Sequence, residues 1–253
     1  MSALYSSFSL SLATSVPLDA FRQSDIVGKI IVVILALLSM YTWGVMAGKW
    51  TDLAGMSHFT RLFLKFYRGT SHPAMAHLGE RKLVPGSPLV VIYTDATKEL
   101  LSALRRVGVG EEDLRAWRPG ETGIRLSDVE IAAIRGMAQR RLAEQQLAVE
   151  HKMSRIATAT TSAPSIGLFG TVWGVMVAFM AMGSGGANMI SAVAPGISGA
   201  LLTTVVGLLV AIPSAIGYNA LSDRVRELVV EMENFVDEFM ADISRIHGAG
   251  GGK

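Results

Sequence analysis

The segment 156–222 runs for 67 residues without one Asp, Glu, Lys, Arg or His. A helix crosses the hydrocarbon core of a bilayer in about 20 residues, so this run has room for two crossings and a short connection. Gly- and Ala-rich residues 183–196, with Pro195, supply the break. One span is expected near 164–182 and another near 197–218. A third uncharged stretch, 30–48, lies near the start. The pattern predicts an all-α chain with three transmembrane helices and long helices extending into the cytoplasm.

The polar segments carry helical periodicity. In 57–68, residues Ser57, His58, Phe59, Leu62, Phe63, Phe66 and Tyr67 predict an amphipathic helix against the inner end of the first span. Pro73, Pro85, Gly86, Gly108, Gly110, Pro119 and Gly120 then punctuate the chain, with a helix expected over 95–107. Ser127-x-x-Glu130 is a capping box. Val129, Ile131, Ile134, Met137, Leu142 and Leu147 keep helical spacing from there, and no strong breaker precedes Pro164. One continuous helix over 128–182 would extend about 80 Å, with Pro164 expected to kink it by removing a backbone bond. After the third span, Leu221, Val225, Leu228, Met232, Phe235, Phe239 and Ile243 recur at threes and fours. Such a stripe is the packed face of a bundle, and copies of the subunit could also pack through it.

The expected division is therefore an N-terminal periplasmic segment 1–25, a first span 26–48 and a cytoplasmic helical insert 49–127. The long helix 128–182 follows, then a periplasmic turn 183–196 and a third span 197–220. A cytoplasmic helix 221–246 and a flexible tail 247–253 complete it.

Charge sets the expected orientation. Lys49, Arg61, Lys65 and Arg68 follow the first span, Lys152 and Arg155 precede the second, and Arg224 and Arg226 follow the third. Lys and Arg favour the cytoplasmic ends of short-looped spans, which turns the N-terminus and the 183–196 turn outward and places the C-terminus in the cytoplasm. Residues 49–155 hold 17 Lys and Arg against 12 Asp and Glu, inside a chain of net charge +2. Topology accounts for that excess, which suits contact with anionic membrane lipids and requires no nucleic acid. Residues 1–21 lack a basic leader region, so no cleaved signal peptide is expected.

Several chemistries find no support. The chain has no cysteine, which excludes disulfides and thiolate chemistry. Its five histidines, 58, 72, 77, 151 and 247, lack ligand spacing, so no metal and no cofactor is expected. No phosphate-cradling loop or nucleophile elbow is present, and the chain does not read as an enzyme.

Small residues recur every four positions in the later spans: Gly170, Gly174 and Ala178 in one, Gly199, Thr203, Gly207, Ala211 and Ala215 in the other. Such stripes let helices pack closely in lipid. Thr171 and Thr204 stand beside them. A membrane Thr commonly bonds its own i−4 carbonyl, or it faces a partner, a water or an ion. Proton paths usually use a titratable group near the midplane, and no span here contains one. A carboxylate for such a path must come from another polypeptide.

The run Ala163-Pro164-Ser165-Ile166-Gly167-Leu168-Phe169-Gly170-Thr171-Val172-Trp173-Gly174-Val175-Met176 resembles the ExbB/TolQ family, relatives of the MotA flagellar stator subunits. So do Val193-Ala194-Pro195-Gly196-Ile197, Thr204-Val205-Val206-Gly207-Leu208, Ala211-Ile212-Pro213 and Tyr218-Asn219. The likeness covers about 155–245, and the tail 234–239 leans towards TolQ. It implies a bacterial inner-membrane protein forming a homopentameric ring around a dimer of a single-span ExbD/TolR-like partner, whose membrane Asp is protonated. It also implies a TonB- or TolA-like protein further out. Thr171 and Thr204 match family threonines that line the pore beside that Asp. Many family members carry a Glu five residues before the second of these threonines, where this chain has Gly199.

The expected function is then a stator or motor subunit that converts proton motive force into mechanical work on the envelope. Tol–Pal-like work ranks first, with TonB-type import and gliding as further forms. A self-contained channel or transporter and a structural scaffold are the alternatives.

Overall fold

The computed structural model describes residues 17–69, 86–109, 125–182 and 189–247. Most of the segment 1–25, the punctuating residues Pro73, Pro85, Gly110, Pro119 and Gly120, half of the 183–196 turn and the tail beyond His247 lie outside the described residues. Five long helices account for nearly all of the rest: α1 (Ile26–Arg68), α2 (Pro88–Arg106), α3 (Asp128–Glu150), α4 (Met153–Met182) and α5 (Met189–His247). A short helical segment, 17–23, precedes α1. Three stretches are long and apolar enough to cross a membrane, contained within Ile26–Arg68, Asp128–Met182 and Val193–His247.

The chain divides into two compact units. The first comprises Met1–Gly48 and Lys152–Leu221 and holds all three apolar stretches. Its core is made by Ile31 and Leu35 of α1, Ala163 of α4, and Val210 and Ala211 of α5, with Val27, Leu38, Ile166 and Val206 packed around them. The outward residues are as apolar as the core: Ile30, Val33, Leu37, Leu168, Val172, Phe179, Leu209 and Ile216 are all exposed. A surface of that kind is at home in lipid, where burial is no test of hydrophobicity.

The second unit comprises Lys49–His151 and Ser222–Lys253. Its centre is aromatic. Tyr67 stands 5.2 Å from Phe235, ring centre to ring centre, and Tyr93 stands 5.4 Å from Phe63 and 5.8 Å from Phe239. Tyr67 donates its hydroxyl hydrogen to Asp242 at 2.9 Å. Burial first, then the Asp242 carboxylate, push the Tyr67 phenol far above its usual range, which keeps it a donor. The periodic stripe on α5 is buried in full, from Leu221 and Val225 through Met232 to Ile243. The face read from sequence is thus occupied by the chain's own fold.

The structure departs from the sequence reading in four places. Residues 57–68 are not a separate helix but the last third of α1, since nothing between Gly48 and Phe59 stops it. The helix expected over 95–107 starts at Pro88. Ser87 caps it, its hydroxyl accepting from Leu89 N, and proline occupies the first turn where it costs no hydrogen bond. The helix expected over 128–182 is two helices, parted at His151 and Lys152, with Lys152 at φ 72°. The helix of the third span begins at Met189, inside the expected turn, and runs on without a break to His247, as the expected helical extension requires. The capping box at Ser127 and Glu130 is present with both of its bonds. Those bonds hold the Glu130 carboxyl below its ordinary range.

Candidate functional site

Within the first unit, α4 and α5 cross through small residues. On α4 the buried line is Ala163, Gly167, Gly170, Gly174 and Ala178. A Cβ placed on Gly167 would sit 2.7 Å from the Thr203 carbonyl oxygen, and one on Gly174 would sit 2.7 Å from Ala200 Cβ. On α5 a Cβ at Gly207 would meet the Ala163 carbonyl oxygen at 2.7 Å. These are approaches that only glycine permits, because the obstacles are backbone or the first atom of a side chain.

Close approach brings three hydroxyls together. Thr171 Oγ1 and Thr204 Oγ1 lie 2.5 Å apart, and either can donate to the other. Thr171 Oγ1 is also 3.0 Å from the Ala200 carbonyl and 3.3 Å from that of Gly167. Thr203, wholly buried, places its hydroxyl 2.7 Å from the Ala200 carbonyl and 2.9 Å from the Gly167 carbonyl. Thr204 reaches the Gly167 carbonyl at 3.3 Å. Thr171 and Thr204 are only half-buried, and their neighbours Val172, Leu201 and Val205 are exposed. The pair therefore stands at an open, apolar edge of the crossing. A threonine hydroxyl donates and accepts at once, so it can pass a hydrogen bond along, but it cannot store a charge near neutral pH.

The residues singled out from sequence separate into two groups. Gly170, Gly174, Thr203 and Gly207 all lie at the α4–α5 crossing beside Thr171 and Thr204. Gly199 does not: a Cβ there would stand 2.5 Å from Ser24 Oγ and 2.8 Å from Ser24 Cα, so this glycine admits Ser24, two residues before α1. Ala211 belongs to the core shared with Ile31 and Leu35 of α1. Pro164 lies inside α4, which continues through it.

Two structural features escape the sequence reading. Gly167 supplies both a close approach and a shared carbonyl, and its position four residues before Thr171 is the signal that could have found it. The other is Asp25, whose Oδ2 accepts from Trp173 Nε1 at 3.0 Å while Oδ1 accepts from Gly28 N at 2.8 Å. No spacing in the sequence pairs those residues. Among the described residues no group of His, Cys, Asp or Glu is arranged to hold a metal ion.

Three membrane-length apolar stretches, with a hydroxyl cluster where two helices cross within the uncharged segment 156–222, define a membrane-embedded helical protein. Comparison narrows the class. Residues 111–234 match the model of the MotA/TolQ/ExbB proton channel family. The chain is 31% identical over 235 residues to the Tol-Pal system protein TolQ of Haemophilus influenzae, covering 90% of this chain and 93% of that one. It is 38% identical over 104 residues to the TolQ of Pseudomonas aeruginosa, or 41% of this chain and 45% of that one. It is 28% identical over 230 residues to the biopolymer transport protein ExbB of Pseudomonas putida, or 90% of this chain and 64% of that one. The chain belongs to the MotA/TolQ/ExbB proton channel family.

Proposed function

We propose that the chain is a subunit of a bacterial inner-membrane motor, five copies of which surround a dimer of a single-span, ExbD/TolR-like partner. The Thr171–Thr204 pair lines the proton path and faces the partner's membrane Asp. Proton motive force drives protonation and release at that Asp, the partner turns within the ring, and work passes to the envelope through its periplasmic part. A TonB- or TolA-like protein would receive it. Tol–Pal-like work is favoured over TonB-type import because the likeness to a TolQ protein spans nearly its whole length.

The observation that carries this reading is the 2.5 Å hydroxyl pair at an open edge of two helices without an Asp, Glu, Lys, Arg or His between residues 156 and 222. A path so lined conducts only if a titratable group is brought to it. Thr171→Val and Thr204→Val keep the shape and remove the hydroxyls. Each should abolish proton-driven envelope work while the subunit still assembles, as read by native mass spectrometry with and without a candidate single-span partner. A ring of five taking up two partner chains is expected. Normal work in the double variant, or a monomer indifferent to the partner, would overturn the proposal.

A further inference from the structure

Three hydroxyl hydrogens serve the cluster, against more oxygen–oxygen approaches than three donors can satisfy at once. The short pair fixes one of them, since either Thr171 donates to Thr204 or the reverse. If Thr204 donates to Thr171, the Thr171 hydrogen goes to the Ala200 carbonyl at 3.0 Å, and Thr203 turns to the Gly167 carbonyl at 2.9 Å. If Thr171 donates to Thr204, the Ala200 carbonyl loses that donor. Thr203 can replace it at 2.7 Å, and the Thr204 hydrogen then turns to the Gly167 carbonyl at 3.3 Å or to an acceptor brought to the open edge. Each direction of the pair thus has its own setting of the Thr203 hydroxyl, and no oxygen is ionised in either.

We propose that Thr203 is a positioning residue that sets the hydrogen-bond direction of the Thr171–Thr204 pair. The inference rests on the reading that this pair faces a partner carboxyl group. A carboxylate needs a donor from Thr204, and a protonated acid needs an acceptor; the Thr203 rotor serves both. The Ala200 carbonyl already accepts the Thr204 backbone N–H within α5, and without the Thr203 hydroxyl the hydroxyl hydrogen that serves its second lone pair is that of Thr171, which favours the accepting direction of the pair. A carboxylate facing the pair then loses its donor, and its pKa rises. No other charged group on these helices competes, because α4 and α5 carry none from 156 to 222. On the α1 side of the unit the described charged groups are Asp19, Arg22, Asp25 and Lys29, and Asp25 is engaged by Trp173.

Packing alone predicts the opposite ranking of variants. A Cβ on Gly170 would meet Thr203 Oγ1, Cβ and Cγ2 at 2.5, 2.7 and 2.9 Å, so the side-chain shape matters there. Thr203→Val keeps that shape and removes the hydroxyl, whereas Thr203→Ser keeps the hydroxyl and removes a methyl. The test is proton entry into membrane vesicles from cells that carry the intact complex, driven by a potassium diffusion potential and followed by an internal pH dye across external pH. Thr203→Val should move the midpoint of the pH profile upward by about one to two units, the effect expected of one lost hydrogen bond to a carboxylate. Thr203→Ser should leave it at the wild-type value. If the Val variant fails to assemble, Thr203→Ala carries the same expected shift. An unchanged midpoint in the hydroxyl-free variants, or loss in Ser with retention in Val, would overturn the role of Thr203 while leaving the pathway intact. Undiminished proton entry in Thr171→Val and Thr204→Val would instead overturn the pathway reading, and this inference with it.

Discussion

The indole Nε1 of Trp173 donates to Asp25 Oδ2 at 3.0 Å, tying the α4 helix to the residue that opens α1. Asp25 uses its other oxygen to cap α1 through Gly28 N at 2.8 Å, and Ser24 beside it packs into the gap left by Gly199. One carboxylate thereby starts a membrane helix and docks it. A hydrogen bond to a charged group is worth about 1.5–3 kcal/mol net. Trp173→Phe keeps an aromatic side chain but loses the bond and part of the ring system, and should destabilise the detergent-solubilised protein by about 1–2 kcal/mol or more in thermal or denaturant unfolding. Unfolding indistinguishable from wild type would show that the bond adds nothing to docking.

Glycine spacing at the α4–α5 crossing makes a second expectation, with an internal control. A Cβ at Gly207 meets the Ala163 carbonyl at 2.7 Å and Gly167 Cα at 3.2 Å, and neither obstacle can rotate away. Gly207→Ala must push the helices apart, at a cost of about 1–3 kcal/mol, and lengthen the Thr171–Thr204 contact. At Gly44 of α1 a Cβ meets nothing within 4 Å. Gly44→Ala should therefore be neutral or slightly stabilising. Equal effects of the two substitutions would mean that the crossing is not close-packed.

The same particulars show what a sequence makes legible. Absence of charge over 156–222 announces the spans because a bilayer tolerates little else there. The α5 stripe from Leu221 to Ile243 was readable because burial follows helical period, and the Thr171–Thr204 pairing was approachable because both stand beside stripes of small residues. The start of α2 was written in Ser87-Pro88, a cap followed by a helix-starting proline, but neither residue was singled out, and only the breakers Pro85 and Gly86 just before them were read. Trp173 and Asp25 are 148 residues apart, and no local rule connects them. The break at His151 and Lys152 involves neither Gly nor Pro, so propensity gave no warning of it.

In the second unit, Tyr67→Phe removes the donor to Asp242 while leaving the aromatic cluster in place. Asp242 retains Arg245 Nη2 at 2.7 Å, so the carboxylate is not stranded. A loss of about 1–2 kcal/mol is expected in denaturant unfolding. The pH dependence has a definite sign. The Tyr67 phenol titrates well above its unfolded value of 10.0, so its contribution is whole below pH 10 and is lost as pH rises past that value towards the folded one. Wild type should lose stability above pH 10 more steeply than Tyr67→Phe. Parallel curves would remove Tyr67 as the cause.

Lys152 adopts φ 72° at the junction of α3 and α4, a backbone region that costs an L-residue about 1 kcal/mol or more relative to glycine. His151, at ψ 138°, has already left the helix, so the two residues together end α3 and allow α4 to begin at Met153. If the junction is a true break, glycine should suit position 152 better than lysine, and a β-branched residue should suit it worse. Lys152→Gly is expected to hold or raise the unfolding midpoint, and Lys152→Val to lower it by about 1–2 kcal/mol equivalent. A continuous helix would reverse the order, since glycine costs about 1 kcal/mol inside a helix and valine less. The ranking of these two variants therefore distinguishes a jointed 128–182 from an unbroken one, without reference to any other part of the chain.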